Sequence, residues 1–115
     1  TPLQALVLLH DTQFVEAARV LGERMLKEGG DTDTSRLTLA FRLLTSRQPG
    51  AEESRLLLSL YAAQRQFYTT NTEAAQKLLT VGERKPDSSL SPVEVATATA
   101  VAQAILNLDA TVWKR

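Results

Sequence analysis

The chain has 115 residues, close to the commonest domain size, and 43% of them are apolar, which is enough for a packed core and too much for a disordered tail. Its 13 Lys and Arg balance 13 Asp and Glu, so net charge gives no reason to expect nucleic acid or an anionic membrane as a partner. The absence of cysteine excludes disulfides, thiolate metal sites and cysteine nucleophiles.

The first half of the chain predicts four helices. Thr1 as N-cap with Pro2 at the first helical position starts a short apolar helix. Asp11 caps a second helix, which ends at Gly29 and Gly30 because glycine adopts the left-handed cap conformation without strain. The charged residues of this helix lie on the face away from its apolar stripe: Glu16, Arg19, Glu23, Arg24 and Lys27. A turn at residues 49–50 joins the third and fourth helices.

The second half predicts a fifth helix closed by Gly82, then a loop, then a sixth helix that starts at Ser91 and Pro92. Residues 95–108 include no charged residue, and a helix that is apolar on every side is normally the one around which the others pack. Because no segment alternates with period two, we expect no sheet. The predicted fold is an all-α compact bundle with the last helix central and helices at about residues 2–9, 11–28, 33–46, 51–69, 72–81 and 92–112.

The chain starts at Thr1 without an initiator methionine, and we expect residues 1–115 to be a single helical domain from the C-terminal end of a longer protein. The longest purely apolar run, residues 5–9, is too short to cross a bilayer, so no membrane insertion is expected.

Candidate chemical groups favour structural interpretations. His10 beside Asp11 satisfies neither a catalytic triad nor a metal site, since one histidine lacks the necessary partners. Asp31 and Asp33 lack the glycine and the glutamate that complete a calcium loop, so helix capping is favoured. Arginines interleave with acids, while Tyr61, Phe67 and Tyr68 lie at core spacing, which argues against nucleic-acid binding. We therefore predict no catalytic, cofactor-binding or metal-binding residue in this chain.

Several blocks carry a family resemblance. The opening sequence TPLQALVLL, Asp11 and the QFVEAA segment are followed by AFR at 40–42, RQP at 47–49, L-x-VGE at 79–83 and LNLD at 106–109. This pattern resembles the domain of unknown function at the C-terminal end of large planctomycete proteins, which often carry cytochrome-c-like segments upstream. The resemblance implies an exported, extracytoplasmic protein and no established reaction. Haem, where the family has it, would belong to a region upstream of this chain.

The two ends of the chain carry the blocks most specific to that resemblance. Asn107 and Asp109 end an otherwise uncharged helix, and we favour hydrogen bonding to backbone near Thr1 over a contact to a partner domain. We also expect the two ends to pack together and face an upstream domain of the same protein. The polar residues expected to make interdomain or structural contacts are Thr1, Gln4, Asp11, Asn107 and Asp109.

Two functions follow as hypotheses. The first is a non-catalytic helical structural or interaction module of an exported planctomycete-type protein. The alternative is an accessory domain of an extracytoplasmic enzyme, of haem or redox type, whose catalytic groups lie upstream. An upstream Cys-x-x-Cys-His motif would favour the second.

Overall fold

The computed structural model describes residues 12–82 and 85–113, with residues 108–113 as backbone only. This part of the chain folds into five helices: α1 Thr12–Glu28, α2 Asp33–Thr45, α3 Ala51–Thr70, α4 Thr72–Leu79 and α5 Pro92–Trp113. It has no strand, so the predicted all-α class is confirmed. The helix predicted over residues 2–9 lies outside the described residues. The other predicted boundaries are correct to within two residues.

Local capping explains where these helices begin and end. Thr32 caps α2, its hydroxyl accepting the Ser35 N–H at 3.1 Å. At the end of α1 the Gly29 N–H donates to the Met25 carbonyl at 2.9 Å, and Gly30 takes a φ of 87°. The end of α2 differs, because the left-handed residue there is Ser46, with a φ of 61°. A non-glycine residue in that conformation is strained.

The last helix is central, as predicted. α5 packs against each of the other four helices. Its buried side chains are short or branched: Val95, Ala96, Thr97, Ala98, Thr99, Val101, Ala102 and Ile105. The hydroxyls of Thr97 and Thr99 donate to carbonyls one turn earlier, both at 2.7 Å, which satisfies these polar groups inside the core.

α1 and α5 approach each other closely at Gly22. A Cβ at that position would lie 2.9 Å from the Thr99 backbone nitrogen and 3.0 Å from the Ala98 carbonyl carbon. Both obstructing atoms belong to the backbone and cannot swing away. Glycine here therefore permits the two backbones to approach one another.

The main hydrophobic core lies between α5 and the first three helices. Met25 of α1, Phe41 of α2 and Tyr61 of α3 are its largest apolar side chains, and each is at most 1% exposed. The shorter α4 also packs against α5 and buries Ala75 and Leu79. The core thus holds α3 against α5 through Leu57 and Tyr61.

Candidate functional site

The structure describes few of the residues expected to make interdomain contacts. Thr1, Gln4 and Asp11 lie outside the described residues, as does His10, and Asp109 is described only in its backbone. Asn107 is half-buried near the end of α5, with its side-chain oxygen inaccessible to solvent. The expected meeting of Thr1 with Asn107 stays a prediction.

An ionic cluster joins three helices around Arg65. Two nitrogens of its guanidinium donate to both carboxylate oxygens of Asp33, at 2.8 Å each. A second edge donates to both oxygens of Glu94, at 2.8 and 2.9 Å. Asp33 starts α2 and Glu94 lies in the first turn of α5, so one side chain of α3 ties together the beginnings of two other helices.

The same guanidinium covers an aromatic ring. The central carbon of Arg65 lies 5.0 Å from the ring centroid of Tyr61, a cation–π geometry. Tyr61 is fully buried, and its hydroxyl finds no hydrogen-bond partner within the described part of the chain. Burial, reinforced by the negative charges of Glu94 and Asp33, raises the pKa of the Tyr61 phenol.

The pKa shifts in the cluster reflect the pairing of Arg65 with Asp33 and Glu94. Hydrogen bonds from Arg65 lower the pKa of Asp33, and the two carboxylates raise the pKa of Arg65. Both edges of the guanidinium and one of its faces are engaged. An arginine used in this way has no free edge with which to bind a substrate anion.

A second polar cluster ties α1 to the connection before α5. Arg19 is 1% exposed and donates to the carbonyl of Leu79, the last residue of α4, at 2.6 Å. Glu23, 9% exposed, accepts the backbone N–H of Asp87 at 2.8 Å. Lys27 forms an ion pair with the Asp87 side chain. These contacts hold the connection against α1. Arg19 and Glu23 share the buried face of α1 with Val15, Ala18 and Gly22, so the prediction that they lie on the face away from the core is wrong.

Asp87 is the centre of that connection. Its carboxylate accepts the backbone N–H and the hydroxyl of Ser89, at 2.9 and 2.6 Å. Hydrogen bonds from Lys27 and then from Ser89 lower the pKa of Asp87. The sequence placed this aspartate in an extended loop and gave no sign of its contact with α1, because the two lie about 60 residues apart.

Among the described residues, the most exposed large apolar side chains lie on α3. Leu56 is 61% exposed and Phe67 is 49% exposed, so the expected core position of Phe67 is wrong. With the partly buried Leu60 and the exposed Ala63, these residues form a row that we call the outer stripe. At 3.6 residues per turn the four positions fall within an arc of about 60°. Their spacing of four, three and four residues is typical of helix-packing seams.

An open cleft lies where α3 meets α4, at the C-terminal end of the outer stripe. Its volume is about 440 Å³, and it is lined by Thr70, Asn71, Thr72, Glu73, Ala74 and Lys77. All but Ala74 are exposed. The cleft holds one charge of each sign.

The described ranges lack two further features, a metal-binding cluster and a membrane-spanning helix. No group of three or more His, Cys, Asp or Glu residues there is placed to hold a metal ion. No described helix combines the length and the apolar character needed to span a membrane.

The fold and its contacts define a small all-α domain whose polar clusters join helices to one another. A family model described as PSD1, Protein of unknown function (DUF1553), matches residues 1–61, more than half of the chain. The chain belongs to this family, which confirms the predicted membership of a family of unknown function. The matched segment covers α1, α2 and α3 as far as Tyr61. Neither a curated protein nor a solved structure matches the chain.

Proposed function

We propose that this chain is a non-catalytic helical module that acts by packing against another protein surface. The observation that carries the proposal is the outer stripe of α3, where Leu56 and Phe67 are 61% and 49% exposed. The charged groups of the two polar clusters, in contrast to this exposed apolar row, make their contacts inside the domain. They bind one another or backbone groups.

Side-chain chemistry supports packing over ligand capture. A binding site usually offers convergent polar groups that are not already used by the fold. In the cluster around Arg65 the guanidinium and both carboxylates are paired. In the second cluster Glu23 and Asp87 receive N–H donors from the chain itself. Polar groups that are already paired within the domain stabilise its fold. Burial of the exposed apolar surface is then what can drive association with another protein.

The setting we propose follows from the family resemblance. It is an exported, extracytoplasmic protein of planctomycete type, in which an upstream domain of the same polypeptide, with or without haem, is one surface available for packing. Catalytic groups, if the parent protein is an enzyme, would belong to its upstream region.

Hydroxyl-radical footprinting tests this proposal. The labelling of Leu56 and Phe67 is measured in dilute chain alone and in a longer protein that contains it, with the exposed Leu43 as an internal reference. We expect several-fold lower labelling of both stripe residues in the longer protein while the labelling of Leu43 changes less. Equal labelling of the stripe in both samples, at every concentration, would show that nothing packs on it.

A further inference from the structure

We infer that the outer stripe of α3 binds a second copy of this chain, with the two α3 helices antiparallel about a two-fold axis between Leu60 and Ala63. This inference rests on the proposed packing function and names the partner of that surface. The argument starts from the order of side-chain sizes along the stripe.

The stripe is complementary to its own reverse. In an antiparallel pair centred between Leu60 and Ala63, Leu56 of one copy faces Phe67 of the other. Leu60 likewise faces Ala63. The two most exposed apolar side chains therefore meet each other, and the leucine that stands partly inside the core meets the smallest residue of the row. A two-fold interface requires this kind of self-complementarity.

The surface around the stripe carries little charge that association would have to desolvate. Between Leu56 and Thr70 the only charged residue is Arg65. Its guanidinium points away from the stripe, into the cluster with Asp33 and Glu94. Small residues at Ser59 and Ala63 allow the backbone of a second helix to come close.

The ends of the stripe also match in charge. In the antiparallel arrangement the first turn of one α3 lies opposite Asn71 of the other copy, at the mouth of the α3–α4 cleft. That first turn carries an exposed ion pair between Glu52 and Arg55. The cleft carries Lys77 and Glu73, so each charge of the pair can meet its opposite. Antiparallel helices also align their dipoles favourably.

The expected strength is modest because the contact is small. A helix of 20 residues is about 30 Å long, and one face of it lies at the lower end of specific interfaces. We therefore expect a dissociation constant on the order of 10–100 µM.

A matched pair of alanine substitutions tests the inference. Ala63 lies in the stripe, and its neighbour Ala62 lies outside it, about 100° away around the same helix; both are exposed. Sedimentation velocity on the 115-residue chain, from about 5 to about 500 µM, should show a monomer–dimer equilibrium. Ala63→Asp should weaken it at least about tenfold because each new carboxylate would be buried against Leu60 of the other copy. Ala62→Asp should leave it unchanged. Leu56→Gln, at a site 61% exposed, is a second variant expected to weaken the dimer without unfolding the monomer.

Three results would overturn the inference: a monomer over the whole range, a dimer that survives both Ala63→Asp and Leu56→Gln, or equal weakening by Ala62→Asp. Footprinting separates this failure from failure of the proposed function. A chain that stays monomeric but whose stripe is protected in the longer protein packs against a different surface. A stripe that is labelled equally in every sample packs against none.

Discussion

The two longest helices, α3 and α5, are similar in length and opposite in the way they are held. α5 has 22 residues, and its middle is buried on all sides by alanine, valine and threonine. α3 has 20 residues, of which only Leu57 and Tyr61 are fully buried. The short side chains of α5 allow it to pack closely against the backbone of neighbouring helices, so close packing fixes its position. α3 is held by Leu57 and Tyr61 in the core and by the ion pairs of Arg65, and it keeps an apolar row outside, which is the surface we propose for association.

The largest effect should come from adding one methyl group where α1 meets α5. Gly22→Ala places a Cβ 2.9 Å from the Thr99 nitrogen, so the two helices must move apart. We expect the free energy of unfolding, measured by urea denaturation, to fall by about 1–3 kcal/mol.

The control is the reverse substitution at an exposed position of the same helix. Ala17→Gly should cost about 1 kcal/mol, because alanine is the better helix former where nothing obstructs its Cβ. If alanine stabilises at both positions, the close contact of α1 with α5 is wrong, and α5 is held no more tightly than α3.

The next largest loss of stability should come from breaking the cluster of Arg65 with Asp33 and Glu94. Arg65→Met removes four hydrogen bonds and leaves Asp33 facing Glu94. Because Arg65 is 34% exposed, we expect a loss of about 1–2 kcal/mol, less than for a fully buried pair. Arg55→Met, which breaks an exposed pair on the same helix, should change stability little. Equal losses in the two variants would mean that the cluster does not orient α3.

The pH dependence of that loss follows from Asp33. Its pKa in the folded chain lies below the ordinary value of 3.8, because Arg65 donates hydrogen bonds to it. A lowered pKa contributes stability above the unfolded-state value and loses it as pH falls through the folded-state value. The difference between wild type and Arg65→Met should therefore be full at pH 7 and shrink below about pH 4. A difference that stays constant down to pH 2 would remove Asp33 from the explanation.

A smaller effect, of opposite sign, is expected at the turn that leads into α3. Ser46 holds a φ of 61°, a region that glycine adopts without strain. Ser46→Gly should raise the free energy of unfolding by roughly 0.5–1 kcal/mol in urea denaturation. Ser59→Gly, on the exposed face of α3, should lower it by a similar amount. The same substitution with the same sign at both positions would contradict the left-handed conformation of Ser46.

The smallest global effect should come from loosening the connection into α5. Glu23→Ala removes the acceptor of the Asp87 N–H. Hydrogen exchange of that amide should accelerate at least about tenfold while the global unfolding transition moves little. Glu28→Ala, which removes the partner of Arg24 on the surface of the same helix, should leave the Asp87 amide unchanged.

Helix positions followed from the sequence because the signals were local. Gly29 with Gly30 ended α1, Pro92 started α5, and an uncharged run of residues predicted the central helix. Apart from the expected meeting of the two chain ends, contacts between distant residues were not predicted, since local periodicity does not say which side chain reaches across the fold. Arg65 is one of the arginines that interleave with acids along the sequence, yet it bridges Asp33 and Glu94, about 30 residues away on either side.

Phe67 was expected in the core and is exposed, which also shows what local periodicity cannot predict. Its spacing from Leu60 is helical, which predicts a buried side chain. However, α3 carries two apolar rows offset by one residue, one through Leu57 and Tyr61 and the other through Leu56 and Phe67. Periodicity detects both rows and cannot say which of them the remaining helices cover.

The most direct test of the account is an NMR concentration series on the ¹⁵N-labelled chain. The account predicts that, as concentration rises, amide shift changes concentrate along α3 and the start of α4, from Glu52 to Ala74, and that Ala63→Asp removes them. Shift changes centred on α1, or none at concentrations near 1 mM, would contradict the assignment of the outer stripe as the surface through which this domain associates.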